Sequence, residues 1–203
     1  KGSGTAVHAA VGRRYVGYVL ISDRVRGDVN DTIRWLRQQR MEVMMLTGDN
    51  EHVANDVARS LGIEYVYANL MPQDKVAQLE EIMNAQLESE KLAFVGDGIN
   101  DAPVLARADI GIAMGGLGSD AALEAADIIL MEDEPSRIIN AIRISRGTVR
   151  AVKENLYFSL FIKVILLGLA FFGGVTMGDA VIVDVAVLAI GLLNSFWVLK
   201  FPE

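Results

Sequence analysis

Two rhythms of apolar and polar residues run through the first 130 positions, and after residue 155 the polar positions almost vanish. Alternating short runs at residues 6–10 and 15–20, separated by Gly12-Arg13-Arg14, predict a β-hairpin. A helix is expected over residues 28–40, with Ile33, Trp35 and Leu36 as its apolar positions. Strand and helix then alternate. Strands are expected at 42–46, 65–70, 91–95, 110–114 and 127–131. Between them come helices at 51–61, stopped by Gly62, at 72–87, opened by Pro72, and a short one at 102–107. A further short helix is expected through Glu124, after the loop from Gly115 to Asp120.

Repeated βα units of this length imply an α/β fold with an open, mostly parallel sheet covered on both faces. In such sheets ligands sit beyond the carboxyl ends of the strands. Thr47-Gly48-Asp49 and Gly96-Asp97-Gly98 both fall at strand carboxyl ends, so they share one rim.

Residues 135–153 predict a polar-faced helix leading out of the α/β region. Residues 156–175 are apolar except for Ser159 and Lys163, and residues 180–199 are apolar except for Asp184, Asn194 and Ser195. Two stretches of about 20 residues are long enough to cross a hydrocarbon core of roughly 30 Å, and no polar face is left for water. Arg143, Arg146, Arg150 and Lys153 precede the first span and Lys200 follows the second, whereas the turn at Met177-Gly178-Asp179 has no basic residue. The positive-inside rule puts both ends, and the α/β region with them, in the cytoplasm. Lys163 and Asp184 would each cost about 2.5–3.5 kcal/mol at the bilayer centre, which marks them as functional candidates. Counted from Met177 they are offset by seven residues, about 10 Å of helix rise, which a lysine stem can largely cover to form an ion pair. Asn194 and Ser195 are expected to pack helices together.

Composition narrows the function classes. The chain has 203 residues, no cysteine and a net charge of -7. Disulfides and thiolate metal sites are excluded, and nucleic acid is not an expected partner. Mean hydropathy is +0.31, raised by the two apolar spans. No signal peptide is visible and the first residue is Lys1, so a missing upstream segment is expected.

The chemistry concentrates in Gly96-Asp97-Gly98-Ile99-Asn100-Asp101-Ala102-Pro103. Carboxylate and amide oxygens at a strand end suit a hard cation such as magnesium that shares phosphate oxygens. Thr47-Gly48-Asp49 offers a hydroxyl and a backbone N–H to phosphate, and Lys75, three residues after Pro72, offers a fixed positive charge. Together these three motifs fit phosphoryl transfer with magnesium and without a P-loop. A covalent route needs a nucleophilic aspartate at a strand end. Asp23 and Asp74 lack that context, so the nucleophile is expected on a part of the protein not present in this chain. His8 and His52 read as isolated surface residues, and Glu132-Asp133-Glu134 as a solvated acidic turn.

With these motifs and the run Ala108-Asp109-Ile110-Gly111-Ile112-Ala113-Met114-Gly115, the chain resembles the C-terminal third of a heavy-metal-transporting P-type ATPase over almost all of residues 4–200. The resemblance implies a phosphorylation domain of the haloacid dehalogenase (HAD) type with a Rossmann-like sheet, followed by a transmembrane helical hairpin. The implied boundaries are 1–20 for a remnant of the nucleotide-binding domain, with the hinge at Ile21-Ser22-Asp23, then 21–152 for the phosphorylation domain and 153–203 for the hairpin. It implies ATP and magnesium as cofactors, with Asp97 on magnesium and Asn100 and Asp101 supporting that loop. Thr47 and Gly48 would contact an aspartyl phosphate with Asp49 nearby, and Lys75 would balance its charge. Lys163 and Asp184 stand where zinc, cadmium and lead exporters of this class carry a lysine and an aspartate. Asp184 would meet the transported cation with Lys163 as its partner, although Val185-Ala186 departs from the usual small pair after that aspartate. The implied setting is a multi-pass protein of the plasma membrane. The DKTGT nucleophile motif, the actuator TGE motif and the Cys-Pro-Cys metal helix do not occur here, so this polypeptide alone is expected neither to hydrolyse ATP nor to transport metal. A membrane-tethered phosphatase and a non-catalytic magnesium-binding module are the competing readings.

Overall fold

Parallel strand pairing with intervening helices organises the α/β part of the chain in the computed structural model, which describes residues 5–21, 25–96, 100–115 and 124–198. Two compact units divide the chain, Lys1–Arg137 and Ile138–Glu203. The first begins with an antiparallel hairpin of β1 (Thr5–Val11) and β2 (Arg14–Ile21), turned at Gly12. Val7, Val11, Tyr15, Val16, Tyr18 and Val19 are all exposed on it. His8 is not isolated: its Nδ1 lies 3.1 Å from the Tyr15 hydroxyl, and its ring tilts against Tyr15 and Tyr18.

The remaining elements of this unit follow the expected order with trimmed ends. They are α1 (Val29–Gln38), β3 (Met44–Leu46), α2 (Glu51–Leu61), β4 (Tyr65–Tyr67), α3 (Pro72–Ala85), β5 (Ala93–Gly96), α4 (Ala102–Leu105), β6 (Ile110–Met114) and β7 (Ile128–Leu130). β4 stops three residues early because Asn69 takes a left-handed φ of 56° and the Leu70 N–H turns back to the Thr47 carbonyl. α2 starts where the Asn50 side chain accepts from Val53 N–H and ends where Gly62 adopts φ 69°. α3 opens with Pro72, and the Asp74 carboxylate reaches back to the Met71 N–H at 3.0 Å.

Among the described residues the strands pair in two parallel sets, β3–β4 and β5–β6–β7, not in one continuous sheet. The core gathers under them from Ala54 and Ala58 on α2, Leu79 on α3, Val104 and Leu105 on α4, and Ile112 and Ala113 on β6. Val95 on β5 is 37% exposed, unusual for an apolar strand residue between helices. The acidic turn is partnered: Asp133 pairs with Arg26, and Arg137 pairs with Glu132 and Glu134.

The second unit is a helical hairpin. The expected leader helix and first apolar span are one continuous element, α5 (Ser136–Phe171), of 36 residues. At 1.5 Å per residue it is about 54 Å long, well beyond a hydrocarbon core of roughly 30 Å. No proline occurs within it to break the helix, and Gly147 and Gly168 are tolerated in its interior. Phe172–Thr176 connect it to α6 (Met177–Val198). The helices meet through Asn155 against Gly191, Asn194 and Ser195, and the half-buried positions Ser159, Ile162 and Leu166 on α5 and Ala180, Val183 and Val187 on α6 continue that seam. From Leu156 onward the remaining faces are exposed and, apart from Lys163, Asp179, Asp184 and Ser195, almost wholly apolar, which suits membrane spans.

Candidate functional site

The carboxyl end of β3 is a strand-turn-helix junction. Thr47 N–H extends the ladder to the Tyr67 carbonyl at 2.9 Å, and the Asn69 N–H donates to the Asp49 carbonyl at 2.8 Å. The Thr47 hydroxyl accepts from Asp49 N–H and donates to the Asp49 carboxylate, both at 3.1 Å. Thr47 is half-buried, whereas Gly48 and Asp49 are exposed. The turn therefore presents its own backbone and a carboxylate to solvent while holding the hydroxyl in place.

These contacts lead along the chain to Lys75. Residues 67–70 are tied to the β3 turn, Pro72 then starts α3, and Lys75 lies on its first turn. Lys75 Nζ donates to Asp101 Oδ1 at 2.7 Å, with the two side chains only 16% and 12% exposed. Asp101 caps α4 through its carbonyl, which accepts from Val104 N–H at 2.9 Å and Leu105 N–H at 2.8 Å. Its carboxylate folds against the end of β5. A Cβ placed on Gly96 would sit 2.9 Å from Asp101 Oδ2 and 3.0 Å from its Cβ, so only glycine admits this approach. Asn100 is exposed beside it.

Thus Thr47, Gly48 and Asp49 end β3, Lys75 opens α3, and Asn100 and Asp101 follow β5, with Lys75 and Asp101 in direct contact. Asp97, the expected magnesium ligand, lies outside the described residues, as do Ser22, Asp23, residues 116–123 and Lys200. Among the described residues no cluster of three or more His, Cys, Asp or Glu side chains is poised for a metal. The donors around the β5 loop are carboxylate and amide oxygens, and that set suits a hard cation.

At the opposite end of β6, Asp109 is a residue to which sequence reasoning assigned no role. Its carboxylate accepts from Leu92 N–H at 2.9 Å, Gln86 Nε2 at 3.0 Å and Lys91 Nζ at 2.9 Å. The Leu92 N–H first, then the Gln86 and Lys91 side chains, lower its pKa from 3.8 to about 2. One carboxylate therefore ties the end of α3 to the starts of β5 and β6. An aspartate immediately before a strand was the available signal.

In the helical hairpin, Lys163 is eight residues before the end of α5 and Asp184 seven after the start of α6. The five-residue connection absorbs the expected offset, leaving them level to within about one residue rise, ~1.5 Å. Both line a cavity of about 360 Å³ with Leu166, Ala170, Met177 and Ala180. The expected ion pair is not formed. Both side chains are exposed, each one position past a seam residue (Ile162 and Val183), so they flank the helix contact and do not meet across it. Asn194 and Ser195 do pack the helices, through Asn155: Asn194 Nδ2 donates to Asn155 Oδ1 at 2.8 Å, and Asn155 Nδ2 lies 3.2 Å from both the Gly191 carbonyl and Ser195 Oγ.

Residues 2–109 match the family model described as haloacid dehalogenase-like hydrolase. The chain is 51% identical over 202 residues to the cadmium, zinc and cobalt-transporting ATPase of Bacillus subtilis (strain 168), covering 99% of this chain and 29% of that protein. It is 47% identical over 199 residues to the zinc-transporting ATPase of Synechocystis sp., covering 98% and 28%. The crystal structure of a zinc-transporting PIB-type ATPase in the E2.Pi state superposes with a TM-score of 0.85 at 32% identity, over 97% of this chain and 32% of that one. The chain thus spans under a third of the length of these relatives.

Proposed function

This chain belongs to the haloacid dehalogenase-like hydrolase family, and we propose that it is the C-terminal part of an ATP-driven exporter of zinc, cadmium or a related divalent metal. The carrying observation is that one chain holds a buried lysine–aspartate contact beside strand ends and a lysine and an aspartate lining one cavity in an apolar hairpin. The Lys75–Asp101 contact assembles polar groups at strand ends, and the hairpin holds Lys163 and Asp184 level on one cavity. The similarity to metal-transporting ATPases over nearly the whole chain supports the same reading.

In this proposal Lys75 is the fixed positive charge that offsets a transferred phosphoryl group, and Asp101 holds its ammonium in position. The Thr47 hydroxyl and the Gly48 backbone contact the aspartyl phosphate, with Asp49 beside them. Asp97 holds magnesium, and Asn100 and Asp101 keep its loop in place. Bound magnesium would neutralise charge developing on the phosphoryl oxygens. ATP supplies that group, and the nucleophilic aspartate lies on a strand outside this chain. Among the described residues β3 and β5 each pair on one side only, and Val95 on β5 is exposed. A parallel strand added at these edges would bring its carboxyl end to the same rim. Residues 1–20 are then the end of the nucleotide-binding domain, 21–152 the phosphorylation domain and 153–203 the transmembrane hairpin of a plasma-membrane pump. Arg143, Arg146, Arg150 and Lys153 mark its cytoplasmic side. Asp184 meets the cation and Lys163 supplies the compensating charge.

In the intact protein, Asp97→Asn is expected to abolish the acid-stable phosphoenzyme formed from ATP, and a normal level would overturn the magnesium role. The sequence preceding Lys1 in the parent is expected to contain DKTGT and Cys-Pro-Cys. Their absence would favour a tethered phosphatase instead.

A further inference from the structure

We propose that Asn155 is a positioning residue whose hydrogen-bonded clasp sets the depth at which Lys163 and Asp184 line their shared cavity, and so tunes metal affinity at a distance. The proposal rests on the transport reading above. Asn155 is half-buried in the hairpin seam, at the end away from the connecting turn. Its side-chain amide uses both faces. The oxygen accepts from Asn194 Nδ2 at 2.8 Å, and the nitrogen reaches the Gly191 carbonyl and Ser195 Oγ at 3.2 Å. Ser195 Oγ also donates to the Gly191 carbonyl at 2.9 Å, which closes the network. The α6 backbone comes close at Gly191, where a Cβ would lie at ordinary van der Waals distance, 3.9 Å, from Asn155 Cγ.

The rest of the seam is nearly featureless. Apart from Ser159 its remaining members are Ala, Val, Ile and Leu, which pack almost equally well after a slide of one helix along the other. Within lipid there is no hydrophobic penalty against such a slide, so polar contacts and close small-residue packing specify register. Asn155 is the residue in α5 whose side chain hydrogen-bonds to α6 among the described contacts. A single buried asparagine fixes register between paired helices in the same way elsewhere.

The spacing links clasp to charges. Lys163 lies eight residues beyond Asn155, about 12 Å along α5. Asp184 lies seven residues before Gly191 and ten before Asn194, about 10–15 Å along α6. Measured from the clasp, the two charged groups therefore fall at the same depth, and both reach the one cavity. A slide of one turn would separate them by about 5 Å and divide the cavity between two levels.

The test uses the intact membrane protein with Asn155→Leu and, separately, Asn194→Leu, which keep apolar volume and remove the clasp. Each is expected to raise the KM for zinc activation of ATPase about tenfold while kcat at saturating zinc stays within threefold. The double variant should be no worse than either single one, because both remove the same network. Asn155→Gln, which keeps the amide, should recover part of the loss. A second measurement does not depend on transport: cysteines at 162 and 183, both half-buried, should be bridged by a bifunctional thiol reagent spanning about 8–10 Å, the usual distance between packed helices, with Asn155 present and at least fivefold less in Asn155→Leu. An unchanged cross-linking yield overturns the clasp. Reduced cross-linking with an unchanged zinc KM overturns its link to affinity. Loss of kcat and KM together, without rescue by glutamine, reduces Asn155 to a folding residue and likewise overturns the proposal. If Asp184→Ala leaves zinc activation intact, the transport reading fails while the cross-linking result still judges the clasp.

Discussion

Replacing Lys75 by methionine removes an ammonium and leaves Asp101, a residue only 8% exposed, without its cation. At 2.7 Å and an effective dielectric of about 20, the gross attraction is about 6 kcal/mol. Desolvation of both groups offsets most of it, since each side chain retains less than a fifth of its exposure. Loss of the charge-assisted hydrogen bond, with a carboxylate left behind, is then expected to cost about 2 kcal/mol. For an α/β unit of this size that corresponds to roughly 6–10 °C in thermal midpoint. Asp101→Asn should cost less, about 1 kcal/mol, because the amide can still accept from Lys75. Thermal unfolding of the intact chain in detergent, followed by tertiary-structure circular dichroism, measures both. The double variant should be about 1–2 kcal/mol less destabilised than the sum of the singles, the mark of direct coupling. Additivity within 0.5 kcal/mol would refute a productive pair, and an unchanged midpoint in Lys75→Met would refute its contribution to stability.

Three other outcomes follow from the same reasoning. Gly111→Ala should destabilise by about 1–3 kcal/mol, since its Cβ would lie 2.5 Å from the Leu105 carbonyl oxygen, a backbone atom that cannot rotate away. Gly168→Ala, inside a helix and with nothing within 4 Å, should leave the thermal midpoint the same or slightly higher. Asp109→Asn should lower the midpoint at neutral pH. Because the folded pKa is depressed from 3.8 to about 2, the wild-type advantage is present above 3.8 and should disappear as pH falls through about 2. A constant difference across that range would contradict the role of the carboxylate.

The sequence made some features legible and hid others for physical reasons. Strand and helix order could be read because each element carries its own period and its own cap, as Asn50 and Gly62 do for α2. Thr47-Gly48-Asp49 and the β5 loop could be placed at strand ends because turn residues follow apolar runs directly. The Lys75–Asp101 contact could not, because it joins residues 26 apart through two helix starts. The level placement of Lys163 and Asp184 depends on how many residues the connection consumes, and helix ends are poorly marked in uniformly apolar sequence. The Asn155 clasp spans 39 residues to Asn194, and an asparagine next to Lys153 and Glu154 looks like the solvated end of a leader helix. Asp109 stands in the run Ala108–Gly115, but its three donors come from residues 86, 91 and 92, which meet it only in the folded unit.

In the proposed exporter, phosphoryl transfer at the strand ends is coupled to a divalent cation beside Asp184. Phosphoenzyme formed from ATP by the intact protein, measured with and without zinc in wild type and Asp184→Ala, tests it most directly. An acid-stable phosphoenzyme that requires zinc in wild type and does not respond to zinc in Asp184→Ala is expected. Equal zinc stimulation in both proteins would contradict it.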